Sequence, residues 1–169
     1  WVGVTGRSRV LDYDSQTLDP ADLPASVFDL TAPEWRGRVG VAPTNASFQA
    51  FITAMRVQHG DDRARQWLTD LVANDPQIRN NNVQIVADID EGRLAVGLVN
   101  HYYVFERAKE LGVGLDDLRV RLHFFPNGDT GALVNVSGVG LLTSAADNAN
   151  ARRFIEYLLS PAGQRYFAE

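Results

Sequence analysis

Leu94-Ala-Val-Gly-Leu-Val99 runs directly into Asn100-His-Tyr-Tyr-Val-Phe105. The first run is short, apolar and uninterrupted, which predicts a buried strand. The second opens a segment that is amphipathic through Leu111 and stops at Gly112, which predicts a helix. Tyr102 and Tyr103 therefore fall at a strand-to-helix turn, beyond the carboxyl end of a strand. Open α/β sheets place their ligands at that edge. A helix start adds unpaired N–H groups and the positive end of a dipole. Two phenols there can surrender their protons to a hard trivalent cation, although a free phenol has a pKa of about 10. Neighbouring tyrosines are more often one core ring and one rim ring, so the pair alone leaves both readings open.

Outward from this stretch, strands and helices alternate. Trp1-Val-Gly-Val-Thr5 and Ser8-Arg-Val-Leu-Asp-Tyr13 read as extended, with Gly6 and Arg7 between them. Asp14 to Pro33 is turn-rich, with helical turns near Asp22 and Ser26. Arg38-Val-Gly-Val-Ala42 is a short buried strand stopped by Pro43. Phe48, Phe51, Ile52 and Met55 have the i, i+3, i+4, i+7 spacing of a helix. A second helix starts at Asp61 and places Ala64, Trp67, Leu68, Leu71 and Val72 on one face. A third comes after Asn80-Asn-Asn82 and ends at Gly92. Leu118–Phe125, Ala132–Ser137 and Val139–Leu142 read as strands around the turn Pro126-Asn-Gly-Asp129. Asn150–Leu159 carries Ala151, Phe154, Ile155, Leu158 and Leu159 on one face, and Ser160-Pro-Ala-Gly163 opens a last short helix. The alternation predicts an α/β sandwich.

Composition narrows the function. The 169 residues are 45% hydrophobic and 22% charged, with net charge −5 and no cysteine. A domain of this size buries roughly 70% of its unfolded surface, enough for a sizeable core. The acidic balance and the lack of any Lys/Arg run argue against nucleic acid. Without cysteine there is no thiolate metal site, disulfide framework or cysteine nucleophile. No apolar stretch approaches the ~20 residues of a membrane helix, so a spanning chain is not expected. The chain opens in mid-strand without Met and reads as an excised fragment, so the missing signal peptide says nothing of localisation.

Three helix starts share one character: Thr44-Asn-Ala-Ser47, Asn80-Asn-Asn82 and Asn100-His101. Singly, each reads as ordinary N-capping. Convergent, their amides and side-chain donors would form a concave anion site beside the tyrosines. Enzyme machinery is scarce. The serines lack a Gly-x-Ser-x-Gly elbow, and His59, His101 and His123 lack metal-ligand spacing. There is no phosphate loop or dinucleotide fingerprint. His101 reads as a helix-start residue, and Asp88, Asp90 and Glu91 as a solvated helix face.

Asn100-His-Tyr-Tyr103 resembles the Asn-x-Tyr-Tyr signature of periplasmic ferric-iron-binding proteins, the solute receptors of bacterial iron ABC importers. Trp1-Val-Gly-Val-Thr-Gly-Arg-Ser-Arg-Val10 resembles their hinge-crossing strand. Trp35-Arg-Gly-Arg-Val-Gly40 with Pro43-Thr44 resembles the approach to their anion-binding helix. Gly131-Ala-Leu-Val134 and Ser137-Gly138 resemble the return strand, and Gly163-Gln-Arg165 the helix after it. In this order, around the tyrosine motif, the pieces cover nearly the whole chain.

The resemblance implies one lobe of a two-lobed, type II periplasmic-binding-protein-like α/β fold, a central mixed sheet flanked by helices. Residues 1–13 would be the hinge-crossing strand, 14–137 the ligand-binding lobe, and 138–169 a return strand and helices packing with the missing first lobe. Tyr102 and Tyr103 would ligate Fe3+. A synergistic anion, phosphate or carbonate, would rest on Asn45, Ala46, Ser47, Asn82 and Asn100, with Arg7 in the hinge strand as a weaker candidate. Family members often carry Ser-Gly-Ala where this chain has Asn45-Ala46-Ser47, which leaves the anion's identity open. The His and Glu ligands of the first lobe are absent, so the chain would hold half a site.

The implied function is extracytoplasmic, periplasmic or cell-surface capture of ferric iron and delivery to an ABC-transporter permease, without catalysis. A fragment whose last helix belongs against the missing lobe would expose an apolar face and is expected to form homodimers or exchange segments. One rival keeps the fold but binds a small organic anion, a polyamine or thiamine, stacked on the tyrosines. The other is a transferase or hydrolase using Tyr102 as general acid or base, which no motif recommends.

Overall fold

The computed structural model describes residues 1–168. The chain divides into a larger unit, Ser8–Leu133, and a smaller one made of Trp1–Arg7 and the chain from Val134 onward. Strand β1 (Val2–Asp14) gives its first residues to the smaller unit and the rest to the larger. The sequence divides this stretch into two extended pieces. They are one strand, because Gly6 and Arg7 keep negative φ and stay in the ladder.

In the larger unit β2 (Val39–Val41), β3 (Gln77–Ile78), β4 (Val96–Asn100) and β5 (Val120–His123) join β1 in the order β3-β2-β4-β1-β5. β2 runs parallel to β3 and β4, while β1 is antiparallel to β4 and β5, so the sheet is mixed. The two-residue β3 is too short to leave a sequence pattern. Helices α1 (Ala46–His59), α2 (Asp61–Ala73), α3 (Asn82–Asp90) and α4 (Tyr102–Leu111) follow the periodicity of their apolar residues, except that Val72, at the edge of the face expected for α2, is exposed.

Strand alternation sorts the core into two layers. Leu11, Tyr13, Val96 and Leu98 pack with Phe48, Phe51 and Met55 of α1 and Trp67 and Leu71 of α2. Val10, Val99 and Val120 pack with Ile85 and Ile89 of α3 and Val104 and Ala108 of α4. α3 lies close on the sheet over two glycines. A Cβ on Gly97 would sit 2.2 Å from the Ile85 side chain of α3, and one on Gly40 would sit 3.3 Å from the same side chain. That approach fixes the start of α3, and with it Asn82.

The segment from Ser15 to Arg38 contains three short 3-10 turns, two of them near the expected positions. Asp129 clamps it to the far side of the lobe: its carboxylate accepts from the Ser26 hydroxyl (2.5 Å), the Val27 N–H (3.2 Å) and the Gly131 N–H (2.7 Å).

The acidic run at the end of α3 is not one solvated face: Glu91 is exposed as expected, but Asp88 and Asp90 are not. Asp88 is buried and takes hydrogen bonds from Arg79 and Arg93. Asp90 pairs with Arg107 and accepts the Arg119 N–H, 2.9 Å away. The arginines come from separate elements, so the acids alone gave no sign of pairing. Burial tends to raise the Asp88 pKa, but the hydrogen bonds from Arg79 and Arg93 prevail and hold it below the ordinary carboxylate value.

In the smaller unit β6 (Val134–Val139) pairs with β1, and α5 (Ala149–Leu159) packs on α6 (Pro161–Ala168). The separate strand expected over Val139–Leu142 does not form: β6 stops at Val139, and a 3-10 turn comes next at Thr143–Ala145. Trp1, Val136, Phe154 and Tyr157 remain exposed, and no residue of α5 is buried.

Asp12 is the anomaly of the core. It faces the α3–α4 layer by alternation, opposite Gly97, is fully buried, and neither carboxyl oxygen has a hydrogen-bond partner. Burial raises its pKa well above the ordinary 3.8, and the attraction of Arg9 only partly opposes this. An acid with a raised native pKa binds its proton more tightly when folded. The linked stability is full below the unfolded value and is lost as pH climbs toward the native one. Asp12→Val should therefore stabilise the chain by about 1–3 kcal/mol at pH 7, the cost of an unsatisfied polar group. The gain should shrink toward pH 4 in denaturant melts, and a gain independent of pH would contradict a neutral buried acid.

Candidate functional site

β4 ends at Asn100, and α4 begins two residues later without a side-chain cap. The sequence makes Asn100 a cap for this helix. It is instead the last, buried strand residue, paired across the sheet with Arg9. His101 holds the turn. Its N–H donates to the Ser8 carbonyl (3.0 Å), and its Nδ1 accepts the Ser8 N–H (3.1 Å). Nδ1 therefore carries no proton while this bond is made, and the ring is a tie to β1. The imidazole then meets Tyr102 edge-on at 5.9 Å and steers that phenol.

Tyr102 and Tyr103 lie with ring centroids 4.3 Å apart, tilted by 33°. Tyr103 is the more constrained. Burial, then the neighbouring Tyr102 phenol, pushes its pKa up to about 12, while the Asn82 amide pulls the other way. Asn82, the first residue of α3, is fully buried, and its Nδ2 donates to the Ser47 hydroxyl at 3.3 Å. Its Oδ1 has no partner. The cap of α3 is Asn81, whose Oδ1 accepts the Gln84 N–H (2.9 Å).

Ser47 is the hub. Its hydroxyl accepts from Asn82 and from Arg9 Nη1 (3.0 Å) and donates to Asn45 Oδ1 (2.7 Å). Asn45 caps α1, and Ala46 is the first residue of that helix. The starts of α1 and α3 thus meet at one hydroxyl, with Tyr103 of α4 against Asn82.

Sequence reasoning singled out Arg7 and missed Arg9. Arg7 belongs to the smaller unit. Arg9 is only 2% exposed, lies over the rings of Phe48 (5.7 Å) and Phe51 (5.5 Å), and donates to the Leu98 carbonyl at 2.8 Å. Its Nε is unpartnered. Burial lowers its pKa to about 10, against the pull of Asp12 and Tyr103, so it stays cationic at neutral pH. The signal available was an arginine running straight into the apolar Val10-Leu11, in a strand too buried to leave it in water.

The arrangement combines two hard phenol oxygens with a buried cation and the positive start of α1. Among the described residues no three His, Cys, Asp or Glu side chains cluster as a metal site. A phenol oxygen is a hard donor, of the kind that suits a small, highly charged cation.

The family described as bacterial extracellular solute-binding protein matches residues 1–169. The chain is 36% identical to the major ferric iron-binding protein of Neisseria meningitidis, covering 98% of this chain and 49% of that one. Iron-bound HitA from Pseudomonas aeruginosa superposes with TM-score 0.86 at 39% identity, over 98% of this chain and 52% of HitA. A Trichodesmium protein in complex with iron and citrate superposes with TM-score 0.85 at 28% identity, over 99% of this chain and 54% of its own. The chain spans about half the length of the curated relatives it matches.

In alkaline titration followed by phenolate absorbance, one step should fall near pH 12, and Tyr103→Phe should remove it. Because the folded value lies above the ordinary 10, stability linked to Tyr103 is whole below pH 10 and drains as pH rises through about 12. Persistence of the late step in the variant would place the burial elsewhere.

Proposed function

We propose that this chain, which belongs to the bacterial extracellular solute-binding protein family, carries half of a ferric-iron site. The parent protein would be an extracytoplasmic receptor that hands iron to an ABC importer. Tyr102 and Tyr103 bind the metal as phenolates. Fe3+ is hard and strongly charged, and it prefers such oxygens to neutral sulfur or thioether donors. The observation that carries this reading is the tilted phenol pair at the start of α4, held beside Asn82 and Ser47.

The anion, phosphate or carbonate, is drawn to the starts of α1 and α3, at Asn45, Ala46, Ser47 and Asn82, with Asn100 at the end of β4. Arg9 supplies the charge that favours it. The remaining metal ligands come from the first lobe of the parent. The exposed Trp1, Val136, Phe154 and Tyr157 belong to the surface that meets this lobe. Iron bridging two lobes would favour their closed arrangement, to the extent that it binds that state better than the open one. No catalytic step enters the reading.

Ferric citrate titrated into the chain with phosphate or carbonate present should raise a visible tyrosinate-to-iron charge-transfer band. Tyr102→Phe and Tyr103→Phe should each weaken it, and the double variant should abolish it. Binding should be much weaker than in a chain carrying both lobes. A band that survives the double variant would overturn the phenolate assignment, and silence in the two-lobed protein would remove iron. Stacking of an organic cargo would survive the same substitutions.

A further inference from the structure

Asn45 does more than begin a helix. Its Oδ1 accepts both the Ser47 N–H (2.9 Å) and the Ser47 hydroxyl (2.7 Å). The Ser47 oxygen in turn accepts from Arg9 (3.0 Å) and Asn82 (3.3 Å). Every polar group of Ser47 that faces the start of α1 is therefore satisfied from within the chain. The electrostatics around it still call for negative charge. Arg9 is a buried cation with no carboxylate in contact, and its Nε has no partner. A carbonyl oxygen carries only a partial charge and leaves that cation uncompensated.

We propose that Asn45 is a built-in surrogate for an anion and so sets the anion selectivity of the site. This rests on the proposed function, in which the α1 start is the anion-facing side. Its carbonyl holds the two Ser47 donors that a small oxyanion would use. Phosphate or carbonate reaches them only by displacing the side chain, exchanging hydrogen bonds already made for new ones. The exchange returns little beyond the charge interaction with Arg9 and the helix dipole. The chain thus binds small oxyanions weakly, and iron capture depends on them less than an open helix start would require.

The test needs no iron. Inorganic phosphate is titrated calorimetrically into the unaltered chain, Asn45→Gly and Asn45→Asp. Glycine at an N-cap costs helices only a few tenths of a kcal/mol relative to Asn, and Asp caps as well as Asn, so both variants should fold. Thermal melts check this. Asn45→Gly frees both Ser47 donors and should bind phosphate about tenfold more tightly, the worth of roughly one net hydrogen bond. Asn45→Asp keeps the acceptor and adds a full negative charge, so it should bind more weakly than the unaltered chain. Equal affinities across the three, or no gain in Asn45→Gly, would overturn the proposal. Because iron is absent, a failure of the ferric reading would leave this order of affinities readable, and the charge-transfer titration tests that reading alone.

Discussion

The antiparallel pairing of β1 with β4 is the constraint on which the larger unit depends. Leu11 opposite Leu98 and Tyr13 opposite Val96 send their side chains into the α1–α2 layer. Val10 opposite Val99 serves the α3–α4 layer. A slip of one residue would exchange the two faces of β1. The same register sets Arg9 opposite Asn100 and so delivers the guanidinium to Ser47. It also carries the ladder one step past β4, where Ser8 and His101 exchange hydrogen bonds, and this orients the turn that presents the tyrosines.

Charge is distributed unevenly across that sheet. Arg9 and Asp12 are three residues apart on one strand, hence on opposite faces, and they make no contact pair. Burial favours the neutral form of Asp12, which lessens the cost of a buried charge. Arg9 has no such escape at neutral pH. It spends two donors on the Leu98 carbonyl and Ser47 and rests on two aromatic rings. The buried or half-buried acids Asp14, Asp88 and Asp90 are instead compensated by Arg119, by Arg79 and Arg93, and by Arg107. The tyrosine side of the lobe thus keeps a deeply buried cation, Arg9, although the whole chain is acidic.

The helices were legible because their apolar spacing is set by local geometry. Phe48, Phe51 and Met55 are buried as their periodicity requires, and so are Ala64, Trp67 and Leu71. The tyrosine turn was legible for the same reason, since a buried strand followed by an amphipathic segment leaves one place for it. The charge partnerships were not. Asp88 looks solvated until Arg79 and Arg93 fold back on it, and Arg119 reaches Asp14 across 105 positions. Arg9 was hidden by the same difficulty: its partners are Ser47 and Leu98, distant in sequence and brought near by the sheet. Asn45 and Asn82 were visible as helix-start residues, but their meeting at one hydroxyl depends on α3 lying close over Gly40 and Gly97.

A half-site of this construction has a consequence for selectivity on the proposed reading. Tyr103 holds its proton more tightly than a free phenol does. A cation must therefore repay the release of two protons before it gains anything from the ligands. A highly charged, hard ion can do this, and a singly charged one cannot, because its attraction to each phenolate is several-fold smaller. Burial of Tyr103 thus raises the threshold for binding as well as shaping the pocket. On that reading two phenolates alone would leave most positions of the ion to water, so tight binding would need ligands from elsewhere.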